Sequence, residues 1–439
     1  MGNESLINGT PRGGAKGATA ILFACLVTVM LGFGIVIPLL PFFVTHFGAN
    51  GTVMGLLMSI YSIMQFIFAP IWGRLSDRVG RKPVLLLGIS GYAISFGVMA
   101  FAPNIAILIL ARAVAGILSS ATLPTAMAYI ADTTEAKDRA RGVGMMGAAM
   151  GVGMIFGPTL GGLLAAANLH LPAGLLALMQ TMIDPDTGNL INLSVPFFFA
   201  GLLALIALPV VYFALPESLH KELRRDAPKA EGTRLSQLGV ALKSPLGFLF
   251  AMALLLSFAL ANLESILGLY GKERFAMGPE GIGLLMGGMG ILSVIQQGFL
   301  IGPLTRRFGE ARVLQGGLVI SMIGFFGMAL LQTEWGMIVF VLVFSTGNVL
   351  LQPSVTSLIS QRAKPGEQGA AMGINNSFQS LGRSIGPLWA GFAYDLYPTL
   401  SFWTGAIFQL IAFIYALRML GPMWAARRAA PEPVSLGND

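Results

Sequence analysis

Charge is scarce in this sequence. Asp, Glu, Lys and Arg together make up 11% of the 439 residues, whereas a soluble domain carries about 25%. A chain this poor in charge cannot coat a water-facing surface. Cysteine is scarcer still: Cys25 stands alone, which excludes an intrachain disulfide. The three histidines, His46, His170 and His220, are scattered, and with one cysteine they offer no metal-ligand spacing. No paired acids, nucleophile constellation or phosphate-binding glycine loop appears either, so the sequence carries no sign of an enzyme and calls for no cofactor.

What fills the chain is apolar. Hydrophobic residues make up 55% and 56 positions are glycine. One membrane-crossing helix needs about 20 mostly apolar residues, and glycine lets such helices approach closely. Apolar runs fall at roughly 19–44, 52–73, 84–102, 105–131, 142–167, 195–215, 245–270, 281–304, 313–332, 336–360, 370–394 and 400–420. The pattern predicts an all-α membrane protein with 12 transmembrane helices. The first run is too long for a signal-peptide core and reads as a retained helix.

Lys and Arg outnumber Asp and Glu 27 to 20, but they sit in short loops rather than in a nucleic-acid-binding patch. With the N-terminus placed in the cytoplasm, 23 of the 27 fall on the cytoplasmic side. Lys272 and Arg274 fall outside, and Arg112 and Arg383 lie within spans. This asymmetry predicts a multi-pass protein of the cell (inner) membrane with both termini cytoplasmic. The longest polar stretch, 216–244, divides the chain into a six-span bundle (1–215), a cytoplasmic linker that includes a surface helix, and a second six-span bundle with a short tail (245–439). The loop 168–194 reads as a lid-like or disordered excursion.

The halves repeat each other. GRLSDRVGRK begins at Gly73 and GPLTRRFGEAR at Gly302, 229 positions later. Gly157-Pro158 and Gly386-Pro387 share that offset. Two separated pairs with one offset imply related six-helix units in the same orientation.

GRLSDRVGRK matches the loop signature of the major facilitator superfamily at Gly73, Asp77, Arg78, Gly80, Arg81 and Lys82. Gly73 is expected to let two helices touch and Gly80 to permit a tight turn. In span four, LARAVAG places Arg112 four residues before Gly116. In span five, Gly153, Gly157, Pro158, Gly161 and Gly162 follow the pattern that the family associates with antiporters, with a smooth face for a span of the other half. The chain therefore resembles that superfamily and, within it, the drug:proton antiporters, most closely the tetracycline-exporter-like multidrug transporters. The resemblance implies two pseudo-symmetric bundles, alternating access and a proton gradient as the energy source. It also implies a gate latch in which Asp77 meets the start of span eleven and Asp132 pairs Arg78 or Arg81. The copy after span eight carries Arg306 where the acid would stand, so an equivalent second latch is not expected. Val29 and Ser95 occupy positions where tetracycline exporters carry acids, and no span contains their histidine, so tetracycline itself does not follow.

One acid lies well inside a span: Glu264, in FALANLESILGLY. A charge at the bilayer centre costs about 2.5 to 3.5 kcal/mol and is kept where it meets a partner or a wet cavity. Glu264 reads either as the proton-coupling acid or as a structural counter-ion to Arg112, placed by residue counting at a similar depth. Arg383 opposes a purely cationic cargo. Tyr61, Gln65, Asn262, Gln296, Asn348, Gln352, Asn376 and Gln379 are the remaining cavity candidates. The expected function is proton-coupled efflux of small apolar or amphipathic compounds by a monomer in the lipid bilayer. A lipid or glycolipid flippase, or a sugar or metabolite exporter of the same fold, is the alternative.

Overall fold

The computed structural model describes residues 12–134, 136–167, 181–183, 190–219, 234–364 and 366–429. Nearly all of this is helix. Span one comprises Arg12–Val36 and, after a turn at Ile37-Pro38-Leu39, Leu40–His46. Span two is Gly51–Val79 and span three Arg81–Ala100. Span four consists of Ile105–Ser119 and Thr122–Thr133, span five is Ala136–Ala166, and span six is Ser194–Ala214. Spans seven to twelve are Gly247–Phe275, Pro279–Phe299, Glu310–Leu330, Glu334–Arg362, Gln368–Leu396 and Leu400–Ala429. A short helix, Ile301–Phe308, follows span eight, and another, Arg234–Leu242, lies in the linker.

Among the described residues, eleven helices are both long and apolar enough to cross a membrane. Span eleven is not among them, although at 29 residues it has the length. Its interior carries Asn375, Asn376, Gln379 and Arg383, which lower its hydropathy. These residues divide by helical face. Asn375, Phe378, Gly382 and Gly386 are enclosed, Leu381, Ile385, Leu388 and Phe392 form an apolar face with partial to full exposure, and Asn376, Gln379 and Arg383 form a third, accessible polar face. The spacing of three and four residues places each set in one stripe.

Packing divides the chain into two compact units. One holds Met1–Glu231 with Ala261–Ile291 and Arg383–Ser401; the other holds Gly232–Leu260, Leu292–Gly382 and Phe402–Asp439. In the second unit, Phe250 stacks on Phe378 at 5.7 Å, and Phe325 packs against Phe344 at 4.7 Å. Aromatic pairs at such spacings add to the burial of their surfaces.

Two short strands are described within the segment before span six. Thr181–Ile183 pairs antiparallel with Leu190–Asn192. The Asn192 carboxamide oxygen then accepts hydrogen bonds from the N–H groups of Ser194 and Val195, both at 3.1 Å, and so caps span six. The expectations for His170 and His220 lie outside the described residues, as does the middle of the linker, 220–233.

The repeat persists as geometry. In the first unit, a Cβ on Gly88 would meet Thr122, Ala121 and Leu118. In the second, a Cβ on Gly317, 229 positions on, would meet Leu351, Leu350 and Gly347. Each of those three neighbours is also displaced by 229. One packing solution for adjacent helices has been used twice.

Candidate functional site

The signature loop builds a compact charge cluster in the first unit. Gly80 sits at φ 112°, a backbone region that favours glycine, and makes the turn between spans two and three. The turn brings Arg81 back over the end of span two. Its Nη1 donates to Asp77 Oδ1 at 2.5 Å and to Ser76 Oγ at 2.7 Å, while its Nε donates to Asp132 Oδ2 at 3.0 Å. Arg81 is therefore a partner of Asp132. Charge-assisted bonds of this kind are the stronger class, and the 9% exposure of the Arg81 side chain limits screening by water.

Two residues missed in the sequence complete the cluster. Glu217, just after span six, accepts from the N–H groups of Arg81 at 2.8 Å and Lys82 at 3.2 Å, so its carboxylate caps span three. Ser218 Oγ donates to Asp132 at 3.2 Å. The signal was present in the Pro216-Glu217-Ser218 triplet, but a helix cap supplied from 136 residues away leaves no local pattern.

The second copy retains the shape with different chemistry. Gly309 repeats the turn at φ 79°. Glu310 stands 229 positions after Arg81, and Gln361 stands 229 after Asp132. Gln361 Nε2 donates to Glu310 Oε1 at 2.7 Å. The ion pair of the first copy has become a hydrogen bond with one charge.

Two expectations about the glycines change. A Cβ on Gly73 would meet nothing within 4 Å, so Gly73 is not a point of helix contact. The span-five glycines do not chiefly face the other half. Gly153, Gly157 and Gly161 pack on span one at Met30, Leu31, Gly34 and Ile35; a Cβ on Gly157 would lie 2.7 Å from Gly34 Cα, and one on Gly161 2.6 Å from Ile35 O. Only Gly162, with the Pro158 carbonyl, reaches span eight, at Pro279, Glu280 and Gly283.

That last contact has a twin, also within the first unit. Pro387 and Gly391 of span eleven meet Gly51 and Gly55 of span two. Pro387 and Gly391 lie 229 positions after Pro158 and Gly162, so both proline-glycine motifs bring backbones together. The contacts lie at the end that the charge count assigns to the outside. Asp395 belongs to the same seam: its carboxylate accepts from Gly51 N at 2.7 Å, Thr52 N at 2.8 Å and Thr52 Oγ1 at 2.5 Å. Tyr394 donates to Glu273 at 2.6 Å, and Lys272 donates to Thr45.

Arg112 is 2% exposed. Its Nε donates to the Leu57 carbonyl at 3.1 Å, and its guanidinium lies 4.7 Å from the Tyr61 ring centroid. Tyr61 and Tyr92 share a hydrogen bond of 2.8 Å between their hydroxyls, and the Tyr61 hydroxyl also accepts from Gln65 and Ser119, each at 3.0 Å. Gly116 permits this arrangement, since a Cβ there would lie 2.5 Å from Tyr61 O. Arg112 and Gly116 thus grip the same turn of span two. Tyr92 was not foreseen, because a tyrosine in an apolar run looks like packing.

Glu264 stands elsewhere. Span seven continues to Phe275, so Glu264 lies eleven residues, about 16 Å, from the helix end rather than the six that the apolar run 245–270 implies. The charged group whose field reaches it is Arg383, while Arg112 interacts with Tyr61 and Tyr92. The structure therefore does not make Arg112 the counter-ion of Glu264. Span seven is the most enclosed of the eleven apolar spans. From Leu256 to Gly271 every residue is buried except Leu260 and Glu264, one turn apart, which retain partial access. Leu260 and Glu264 thus form one stripe of partial access on an otherwise buried stretch of helix.

The other candidates divide. Asn262 is fully buried and donates to the Ser401 carbonyl at 2.9 Å, a packing role. Gln296 is buried and donates to Thr346 at 3.0 Å. Gln352 donates to Ser257 at 3.0 Å. Gln352 and Asn348 are half-buried one turn apart on span ten, and Asn376, Gln379 and Arg383 share the accessible polar face of span eleven. No cluster of metal-ligating side chains occurs among the described residues.

A many-spanning helical membrane protein with a duplicated motif set and intramembrane charges belongs to the class of transporters. The profile of the Major Facilitator Superfamily matches residues 22–387 and 277–437, and the chain belongs to that family. It is 31% identical over 408 residues to the tetracycline resistance protein, class C, of Escherichia coli, covering 91% of this chain and 95% of that one. It is 28% identical over 385 residues to multidrug resistance protein 2 of Bacillus subtilis, covering 87% and 90%. A solved bacterial homolog to the human lysosomal transporter Spinster shares the fold with TM-score 0.77, 14% identity and coverage of 97% and 100%.

Proposed function

We propose that this chain is a proton-coupled exporter of small apolar or amphipathic compounds, working by alternating access in the cell (inner) membrane with both termini cytoplasmic. The relatives support efflux: they are named for resistance to tetracycline, to multiple drugs and, in Staphylococcus aureus, to quinolones. The observation that carries proton coupling is the accessible position of Glu264 on an otherwise enclosed helix. A carboxyl group there reaches internal water without facing lipid, which is what reversible protonation within a membrane requires.

In this reading Glu264 exchanges a proton for cargo. Arg112 holds spans two and four in register through Leu57 and Tyr61 rather than neutralising Glu264. The Asp77–Arg81–Asp132 cluster acts as a latch at one end, and the glycine-proline seam closes the other. The test is drug-driven proton release from purified, detergent-solubilised protein. Release by the wild type and its loss in Glu264→Gln support the reading; net transport without ligand-dependent proton movement contradicts it.

A further inference from the structure

Arg383 is the other charge that the fold leaves accessible within a span. It lies on the polar face of span eleven with Gln379 and Asn376, one turn and two turns away in sequence, and it is exposed. Among the described residues no carboxylate comes within 4.0 Å of its guanidinium. Its neighbourhood is nevertheless fixed. Gly382 packs against the backbone of span seven, where a Cβ would lie 2.5 Å from Leu254 O and 2.8 Å from Phe258 N. Arg383 therefore leaves span eleven beside span seven, within about two turns of Glu264, whose carboxyl group feels its charge.

The contrast with Arg112 is chemical. Arg112 is enclosed, with a carbonyl acceptor and an aromatic face to hold it. Arg383 keeps its planar fork of donors available, and that fork fits a carboxylate with two parallel hydrogen bonds. A cargo bearing only positive charge would meet a site in which Arg383 opposes it. A cargo bearing both signs satisfies each group: its cation beside ionised Glu264 and its anion on Arg383.

Building on the efflux reading, we propose that Arg383 recognises an anionic group of the transported compound, so that preferred substrates are zwitterionic amphiphiles rather than simple lipophilic cations. Binding of the cation promotes loss of the Glu264 proton, which keeps the assignment compatible with antiport, while the anion supplies the selectivity.

The experiment measures binding and transport of two probes by the full-length protein in liposomes: a quinolone with free carboxylate and amine, and its methyl ester. The wild type is expected to bind the zwitterion at least about tenfold more tightly than the ester. Arg383→Gln is expected to abolish that preference by weakening the zwitterion while the cationic ester, relieved of an opposing charge, binds at least as tightly as to the wild type, which also shows that the variant is folded. Arg383→Lys should retain an intermediate preference, and it decides the matter if Arg383→Gln binds neither probe. A preference that persists undiminished in the variants, or a wild type with no preference, overturns the proposal while leaving efflux intact. A wild type that transports neither probe overturns the efflux reading and this proposal with it.

Discussion

Asp395, at the end of span eleven, caps the start of span two through Thr52: one carboxylate oxygen accepts from both the N–H and the hydroxyl of Thr52, at 2.8 and 2.5 Å. The other oxygen takes Gly51 N–H, and Asn50 takes Val53 N–H at 3.1 Å. Three donors of the first turn, which have no partner within the helix, are thereby satisfied, and the carboxylate lies at the positive end of the helix dipole. Asp395→Asn is expected to weaken this seam by about 1 kcal/mol, the scale of a helix cap. Met54, 1% exposed beside it, reports the change: in a Cys25→Ser background, Met54→Cys should react faster with a membrane-impermeant maleimide when Asp395 is Asn. An unchanged rate would mean that the cap does not hold the seam.

The glycines predict opposite outcomes for one substitution. Gly55→Ala and Gly162→Ala each place a Cβ against backbone, at Pro387 O and Pro279 O, and backbone cannot turn aside as a side chain can. Both should lower melting temperature and transport. Gly73→Ala meets open space within the helix Gly51–Val79, where alanine is favoured over glycine by about 0.5 to 1 kcal/mol. It should melt at the same or a higher temperature, measured by thermal unfolding in detergent.

The hydroxyl cluster around Tyr61 is predicted to be structural as well as functional. Tyr61→Phe removes the partner shared by Tyr92, Gln65 and Ser119. Leaving buried polar groups unpaired costs about 1–3 kcal/mol each. Loss of thermal stability should therefore accompany any loss of transport. Full stability with lost activity would assign Tyr61 to the transport cycle alone.

The charge cluster allows a reversal test. Asp132→Asn should impair transport, because Arg81 is largely buried and loses one of its two acidic partners. Gln361→Ala, at the matching place in the second copy, should do less, since Glu310 also accepts from Ser357 at 3.2 Å. Equal effects, measured as uptake into inverted vesicles, would contradict the asymmetry.

Much of this molecule was legible in its sequence for physical reasons. Spans are bounded by how many apolar residues cross a bilayer, and the repeat offset of 229 located contacts as well as motifs: Gly88 and Gly317 pack alike. Span eleven shows where hydropathy thins out, because one face must be polar. Pairings between distant residues were not legible. Glu217 at Arg81 and Asp395 at Thr52 join a helix end to a carboxylate far away in the chain, and nothing local marks them. The depth of Glu264 was misjudged because Lys272 and Arg274 looked like the end of a span, whereas the helix continues through them.

Proton release on drug addition, compared between the wild type and Glu264→Gln at matched drug binding, tests the central claim most directly. The account predicts a proton burst from the wild type and none from the variant. A burst of equal size from Glu264→Gln would contradict it.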